Sequence, residues 1–263
     1  MTQRTPRYCF WSVVDGHYTR MMNTVVHSAR QVGVFKDFHI WSDQPVAGAI
    51  HHPTAKFDKA HYLFKFMFLR DAVKHLNYEY FIWLDADTYF VRNPGDVLAV
   101  LQGSPVHASL ESDACLSSNK RPDWWGCPLP KYVELMREKG VISKSVFNVN
   151  AGFWIVHHDV IDGFFQLCFE FWHHCQNKGF VFTEEAPLAY ATHMLCGNPY
   201  EHVLRATSDV WASDWTGCHA DKLPDAKPWL FTDYFNGERY LVSPAIVHAM
   251  RSKRVLLEAS ASI

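Results

Sequence analysis

The segment YFIWL at residues 80–84 constrains the fold of this chain more than any other. Five apolar or aromatic residues in a row, without polar alternation, indicate a strand that is covered on both faces of a sheet. Asp85-Ala86-Asp87 follows the strand at once. Because strand side chains alternate with period two, Asp85 and Asp87 would lie on the same side of the chain. A buried strand that ends in two carboxylates predicts a functional site at that end.

The residues before this strand alternate between strand and helix patterns. Strands are predicted at 8–14, 37–43 and 49–53, and helices at about 18–32 and 61–76. In the second helix, Tyr62, Phe66 and Leu69 begin an apolar face that continues along the helix. This order predicts a mostly parallel, Rossmann-like sheet with right-handed crossovers. Ligands of such sheets gather at the carboxyl ends of the strands, which is where the two aspartates lie.

The pattern is less regular after residue 94. A helix is expected at about 95–102, strands at 106–110 and 147–158, and helices at 160–179 and from about Glu184, with short strands and loops towards the end. No internal repeat or low-complexity linker divides the chain. We therefore predict one α/β domain over residues 1–263, with a first half at 1–94 and a second at 95–263.

Charge and cysteine content exclude several classes of protein. A net charge of -2 without a basic tail gives no general attraction to nucleic acid or to an anionic membrane. Seven cysteines without a CxxC pair favour reduced thiols in a cytoplasmic compartment over a disulfide framework. We expect neither a signal peptide nor a transmembrane segment, because no apolar run reaches the ~18 residues that a bilayer requires. Peripheral membrane contact stays open.

Aromatic residues are abundant, at 15% with 10 Trp. They indicate either a bulky core or a carbohydrate site, because the C–H faces of sugar rings stack on aromatic faces. Candidates for such a carbohydrate site lie in loop-like sequence after residue 120. They are Trp124, Trp125, Trp211, Asp214 and Trp215.

Two carboxylates as close as those of Asp85 and Asp87 repel each other and call for a cation. Hard oxygen ligands suit Mg²⁺ or Mn²⁺, and Mg²⁺ is commonly held by one or two carboxylates together with substrate phosphates. The alternative is a solvated pair in a loop.

The segment FIWLDADTYFVRNP resembles the DxD segment of nucleotide-sugar glycosyltransferases of the GT-A fold. Further segments resemble that family in the same order: FWSVVDGHY at the nucleoside, FNVNAGFWIVHHD beside the donor sugar and the acceptor, FTEEAPLAY beneath the sugar, and IVHAMRSKR near the C-terminus. The resemblance covers most of the chain. It implies a Rossmann-like, mixed and mostly parallel central sheet flanked by helices, with an irregular C-terminal part.

This resemblance implies a hexosyltransferase, similar to retaining families 8 and 6, that uses Mn²⁺ or Mg²⁺. The donor would be a nucleotide-diphosphate sugar, with a UDP-sugar favoured, and the acceptor a hydroxyl of a carbohydrate or glycoconjugate. Residues 1–94 would be the nucleotide-binding half and residues 95–263 the acceptor and catalytic half. The implied metal ligands are Asp85, Asp87 and His248, and Asp85 could instead contact the ribose.

Other residues follow from the same resemblance. Val14 and Asp15 would meet the nucleoside, and Lys65 the donor phosphate or sugar. The sugar hydroxyls would be bound by Asn148, Asn150, Ala151 and Gly152. Arg251, Lys253 and Arg254 would lie over the diphosphate. The family often has Gly where Arg251 stands and Lys where Arg254 stands, so the choice among the three cations stays open.

Glu184 and Glu185 are the candidate catalytic carboxylates. FTEEAPL is similar to the HDESHL of family 6, which matches Glu185 to the candidate nucleophile there, whereas family 8 has Asp-Gln. Glu185 is therefore favoured, as nucleophile, base or stabiliser of an oxocarbenium-like centre. Both residues also fit a simple helix start, where the helix dipole favours anions.

Three alternatives compete with this interpretation. LDADT fits the DxDxT pattern of haloacid-dehalogenase-like phosphatases, with Asp85 as nucleophile, although that family has the motif at its first strand. A second alternative is a nucleotide-sugar-binding module without turnover. A zinc site at the histidine pairs is disfavoured, because neighbouring side chains such as His173 and His174 diverge on a helix.

Overall fold

The computed structural model describes residues 6–54, 64–73, 75–101, 103–115, 122–180, 183–196, 209–213, 228–232, 239–250 and 252–260. This part of the chain is mixed α/β. Its strands are β1 (Tyr8–Val14), β2 (Phe38–Ser42), β3 (Ile50–Pro53), β4 (Tyr80–Leu84), β5 (Thr88–Phe90), β6 (Val106–Asp113), β7 (Asp123–Trp124), β8 (Cys127–Pro128), β9 (Phe147–His157), β10 (Trp211–Ser213), β11 (Trp229–Thr232), β12 (Arg239–Val242) and β13 (Ile246–His248). Its helices are α1 (His17–Gln31), α2 (Phe64–Val73), α3 (Leu129–Glu138), α4 (Ile161–Asn177), α5 (Glu185–Cys196) and α6 (Lys253–Ser260).

The central sheet has six strands in the order β3-β2-β1-β4-β9-β6. The first four run parallel, and β9 is antiparallel to both of its neighbours. The mostly parallel sheet expected from the sequence is thereby confirmed. From β1 the chain turns to β2 and β3 on one side, and it returns to β4 on the other. This is the topological switch point at which open α/β sheets bind ligands. Asp15 and Asp85 directly follow the two strands that meet there.

The segment YFIWL is the fourth strand and is covered on both faces, as its composition predicts. Trp83 packs between Trp11 and Trp154, with ring centroids 4.5 and 5.9 Å away. On the opposite face, Ile82 and Leu84 join a second apolar cluster that contains α1. Burial on both sides holds the strand rigid up to the first aspartate.

Most predicted elements are present within one or two residues of their predicted bounds. Helix α1 buries Met21, Val25 and Ser28, the face expected from its periodicity. The helix predicted at 61–76 is described only over Phe64–Val73, and residues 61–63 and 74 lie outside the described part. The helix predicted at about 95–102 is present as a short 3₁₀ helix at Val97–Leu101.

A small second sheet, in the order β10-β13-β5, was not foreseen. Its strands are three residues long, too short to produce a periodic signal. Strand β13 pairs antiparallel with β5, and the register places His248 opposite Thr88. This pairing brings a histidine from the end of the chain to the aspartates that follow β4.

No helix in the described part is long and apolar enough to cross a membrane. The cysteines there are free thiols: Cys9, Cys115, Cys127, Cys168, Cys175 and Cys196.

Strand β9 passes close to His248, and only a glycine fits at the crossing. A Cβ atom at Gly152 would lie 2.8 Å from two ring atoms of His248 and 2.9 Å from Oδ1 of Asn150. Real Cβ contacts of this length essentially never occur, and the His248 ring is buried and cannot swing away freely.

We expect Gly152→Ala to lower the free energy of unfolding by about 1–3 kcal/mol, because the added methyl overpacks this crossing. Urea denaturation measures the change. The matched control is Gly163→Ala in α4, where an added Cβ meets nothing within 4 Å and should stabilise the helix by roughly 0.5–1 kcal/mol. Equal effects of the two substitutions would contradict the proposed crowding.

Candidate functional site

A cavity of about 400 Å³ opens at the carboxyl ends of β1 and β4. Its walls come from the end of β1, the aspartates after β4, the middle of β9, the start of α5 and, near the C-terminus, His248, Met250 and Lys253. It therefore lies at the switch point of the sheet. Val14, Asp15, Lys65 and Asn150, which the sequence assigned to substrate binding, all line it.

Asp85 is fixed by both its backbone and its carboxylate. Its amide N–H donates to the Gly152 carbonyl at 3.0 Å, and its own carbonyl accepts from the Thr88 hydroxyl at 2.8 Å. Its Oδ1 accepts from the Trp83 indole at 2.7 Å and from Lys65 Nζ at 2.9 Å. The other oxygen, Oδ2, lies 3.9 Å from Nε2 of His248. One oxygen is thus held in place by the protein, and the second is directed towards the histidine.

Asp87 is buried and lies between His248 and Lys253. Its Oδ1 is 3.2 Å from Nε2 of His248, and its Oδ2 is 2.8 Å from Nζ of Lys253. Its carbonyl accepts from the Ala249 N–H at 2.7 Å, which ties the turn after β4 to the end of β13. Burial alone would raise the pKa of Asp87, but His248 and then Lys253 reverse this effect and hold the pKa below its ordinary value. The carboxylate is therefore ionised.

The side chains of Asp85, Asp87 and His248 fit a divalent metal ion. One ligand atom from each lies within 4.8 Å of the others, and no other group of three such side chains does so among the described residues. Carboxylates suit Mg²⁺ and Mn²⁺, and imidazole suits transition metals. Mn²⁺ satisfies both preferences. The spacing of Asp85 and Asp87 was visible in the sequence, but only the second sheet supplies the nitrogen.

Lys65 bridges the first aspartate to the start of α5. Its Nζ lies 2.9 Å from Asp85 and 2.6 Å from Oε1 of Glu184, and 5.0 Å from the centroid of the Trp83 ring. Burial alone would lower the pKa of Lys65, but the two carboxylates raise it above its ordinary value. Glu184 is also buried and lines the cavity, and its Oε2 has no hydrogen-bond partner among the described residues.

Glu185 begins α5 and reaches the opposite wall of the cavity. Its Oε2 accepts from the indole N–H of Trp125, and its Oε1 accepts from the Ala151 N–H at 3.4 Å. Burial, together with the charges of Glu111 and Glu184, raises the pKa of Glu185 well above its ordinary value. This carboxyl group retains a proton more strongly than an exposed glutamate.

The three cations near the C-terminus have different surroundings. Lys253 bonds to Asp87 and lies 4.8 Å from the centroid of the Tyr18 ring. The side chain of Arg254 is 87% exposed and pairs with Glu258 at 3.5 Å. Arg251 lies outside the described residues. Of the two cations that can be compared, Lys253 alone lines the cavity.

The remaining predicted residues divide between cavity and core. Asn150 donates to Glu111 at 3.1 Å and accepts from the Gly152 N–H at 2.8 Å. Asn148 is fully buried and does not line the cavity. Trp211 is buried next to His248, with ring centroids 5.6 Å apart, so it packs against the histidine ring. Asp214 and Trp215 lie outside the described part.

Sequence reasoning missed several residues of this site. Tyr18, Met250 and Thr183 line the cavity, and no local motif marks them. Glu111 falls at a register shift of β6 against β9, between Leu110 and Ser112. Such bulges redirect a side chain next to active sites, but a bulge leaves no readable signal in a single sequence.

No protein-family model matches this chain, and no curated protein matches its sequence. The functional interpretation therefore depends on the geometry of the cavity and on the resemblance of the motifs.

Lys253 binds the second oxygen of Asp87, Oδ2, and its positive charge should compete with that of a metal ion held by Oδ1. We expect Lys253→Met to bind Mn²⁺ about two- to tenfold more tightly in the absence of nucleotide, because a partly exposed ion pair is lost. Titration with detection of free Mn²⁺ by electron paramagnetic resonance measures the affinity. Arg254→Met is the matched control, since it removes the same charge from a neighbouring exposed position. An equal gain in the control, or none in Lys253→Met, would refute direct competition.

The raised pKa of Glu185 predicts a pH-dependent cost to stability. A carboxyl group whose pKa is raised by folding stabilises fully below its unfolded pKa of about 4.3, and this contribution is lost as the pH rises through the folded pKa. Glu185→Gln cannot ionise. We expect its Tm to match that of the wild type near pH 4.5 and to exceed it by about 2–4 °C at pH 8–9, which corresponds to about 1 kcal/mol.

Thermal unfolding followed by circular dichroism across this pH range tests the expectation. Glu134→Gln on α3 is the control, because Glu134 is exposed and pairs only with Lys131 at the surface. A Tm difference for Glu185→Gln that stays constant with pH would rule out ionisation of Glu185 as the cause.

Proposed function

We propose that the protein is a metal-dependent glycosyltransferase of the GT-A fold. Its donor is a nucleotide-diphosphate sugar, with a UDP-sugar favoured, and its acceptor is a hydroxyl group of a carbohydrate or glycoconjugate. The observation that carries the proposal is the convergence of Asp85 Oδ2, Asp87 Oδ1 and His248 Nε2 beside a cavity at the switch point of the sheet. A volume of about 400 Å³ lies within the range of about 300–1,000 Å³ that is usual for small-molecule sites.

The distribution of charge suits a diphosphate leaving group. During transfer the bond between the anomeric carbon and the phosphate oxygen breaks, and the nucleoside diphosphate leaves with the electron pair. A divalent ion, when bound, supplies positive charge that stabilises this leaving group. Lys253 lies at the same end of the cavity, on a flexible side chain that can exchange Asp87 for a phosphate oxygen. Lys65 keeps its positive charge within the cavity wall.

The two glutamates support different roles. A new bond forms from the acceptor oxygen to the anomeric carbon, and the hydroxyl proton must move to a base. The pKa of Glu185 is raised, so its ionised form is a stronger base than an exposed glutamate, and we assign it to take up this proton. Glu184 is held by Lys65 through Oε1, and its buried Oε2 can accept a hydrogen bond from a donor-sugar hydroxyl.

The surroundings of Asp85 favour this function over a phosphatase. A phosphatase nucleophile must approach phosphorus with a free carboxylate oxygen. In this site Oδ1 of Asp85 is bound by an indole and an ammonium group, and Oδ2 faces His248. Oδ1 is thus held by the protein, and Oδ2 lies on the side of His248, where it suits metal ligation.

Asp87→Ala tests the proposal. We expect it to weaken Mn²⁺-dependent binding of UDP-sugars by at least about tenfold, since outer-shell partners of metal sites alone contribute that much. Slow hydrolysis of the donor should fall in parallel. Calorimetric titration of UDP-glucose, UDP-galactose and the corresponding N-acetylated sugars with Mn²⁺, together with a UDP-release assay, provides the measurements. Asp162→Ala on the exposed start of α4 is the control.

Two results would contradict the proposal. In the first, Asp87→Ala leaves both binding and hydrolysis unchanged. In the second, the wild type cleaves a generic phosphate ester such as p-nitrophenyl phosphate with Mn²⁺ but neither binds nor hydrolyses UDP- or GDP-sugars.

A further inference from the structure

The turn between β7 and β8 carries a tryptophan where the backbone favours a different residue. Trp125 and Gly126 form a two-residue hairpin turn, and both have positive φ, at 53° and 77°. Positive φ at both central positions is the pattern of a type I′ turn, which prefers Asn-Gly or Gly-Gly. Trp125 is the one non-glycine residue with positive φ in the described part of the chain. A bulky residue in this conformation is strained, and such strain clusters at functional sites.

The hairpin holds Trp125 rigidly at the mouth of the cavity. The neighbouring Trp124 is buried and packs on Tyr132 with ring centroids 4.8 Å apart, and the Tyr132 hydroxyl donates to the Phe147 carbonyl at 2.8 Å. Asp123 accepts from the Gly126 N–H at 3.2 Å and closes the turn. The hairpin is therefore anchored in the core by one tryptophan and presents the next one, 53% exposed, to the cavity.

The edge and the face of the Trp125 ring have different surroundings. The indole N–H at the edge donates to Oε2 of Glu185. Much of the ring remains exposed, so its apolar surface is open to a ligand that enters the cavity. Glu185 lines the same cavity and places a carboxylate acceptor beside this surface. An apolar ring surface beside carboxylate acceptors matches a sugar ring, which has C–H groups on its faces and hydroxyl donors at its edge.

We propose that Trp125 is the platform of the acceptor subsite, on which an uncharged sugar ring stacks with a hydroxyl directed at Glu185. This inference rests on the proposed function and adds to it the position of the acceptor and its class. Anionic acceptors are disfavoured, because Glu185 in its ionised form, as the base, would repel them. Trp125 also positions Glu185 through the indole hydrogen bond, so one residue aligns the acceptor and the base that serves it.

Two substitutions of Trp125 separate the effect of its aromatic ring from the effect of its backbone conformation in the turn. Trp125→Asn produces the preferred Asn-Gly turn and removes the ring, so its Tm should equal or exceed that of the wild type. Trp125→Phe keeps a stacking ring and removes the indole N–H. Phe35→Asn is the control, because Phe35 is an equally accessible aromatic residue, 79% exposed, that does not line the cavity.

The probes are methyl glycosides of glucose, galactose, mannose and N-acetylglucosamine, whose binding is followed by saturation-transfer difference NMR. We expect Trp125→Asn to weaken binding of the glycoside that the wild type prefers by about tenfold, and to raise the acceptor KM equally, while UDP and Mn²⁺ bind as in the wild type. Trp125→Phe should keep the acceptor KM within about threefold of the wild type. Its kcat should fall, because Glu185 loses the hydrogen bond from the indole N–H. Phe35→Asn should behave as the wild type.

The inference is overturned if the wild type binds none of these glycosides, or if Trp125→Asn binds them and uses them as well as the wild type does. Failure of the proposed function looks different: the wild type then turns over no nucleotide sugar. In that case the NMR comparison of the wild type with Trp125→Asn still decides whether Trp125 binds a sugar ring.

Discussion

The organisation of this protein depends on the neutralisation of several carboxylates that lie close together beside the end of one buried strand. Asp85 and Asp87 follow β4, and Glu184 and Glu185 begin α5 across the same cavity. Lys65 neutralises the first carboxylate of each pair, Lys253 and His248 contact Asp87, and burial raises the pKa of Glu185. Such a concentration of negative charge would not survive in a core without these partners, because unpaired buried charges are costly. The same contacts leave Oδ2 of Asp85 and Oδ1 of Asp87 close to Nε2 of His248, and a metal site requires ligand atoms that converge in this way.

Three unusual features of the described residues lie around the same cavity. Trp125 adopts an unfavourable backbone conformation, Glu184 has a buried oxygen without a hydrogen-bond partner in the described part, and β9 has room only for glycine beside His248. Each feature costs stability, and each contributes to the shape or chemistry of the cavity. Natural proteins break local rules mainly where function requires it, and the coincidence of three departures in one place supports a functional interpretation of the cavity.

The regular elements were predictable because they depend on local patterns. The strand YFIWL, the helix α1 and the order of the first four strands follow from runs and periodicities of a few residues. The second sheet was not predictable, because its three-residue strands have no periodicity and their pairing joins distant segments. The helix expected after residue 94 is present, but its type was not predictable: a short apolar segment fits an α-helix or a 3₁₀ helix equally well, and packing decides between them.

Local sequence patterns were enough to predict that two carboxylates follow the carboxyl end of a buried strand in a mostly parallel sheet. Apolar runs and alternation are properties of neighbouring residues, so they can be recognised without the fold. The sequence also named His248, Lys253 and the two glutamates through resemblance. Three further properties required the folded structure. It shows which oxygen of Asp85 is already bound and that Lys253, and not Arg254, lines the cavity. It also shows that burial, together with the charge of Glu111, raises the pKa of Glu185. These are properties of distances between residues far apart in the chain, and folding alone sets those distances.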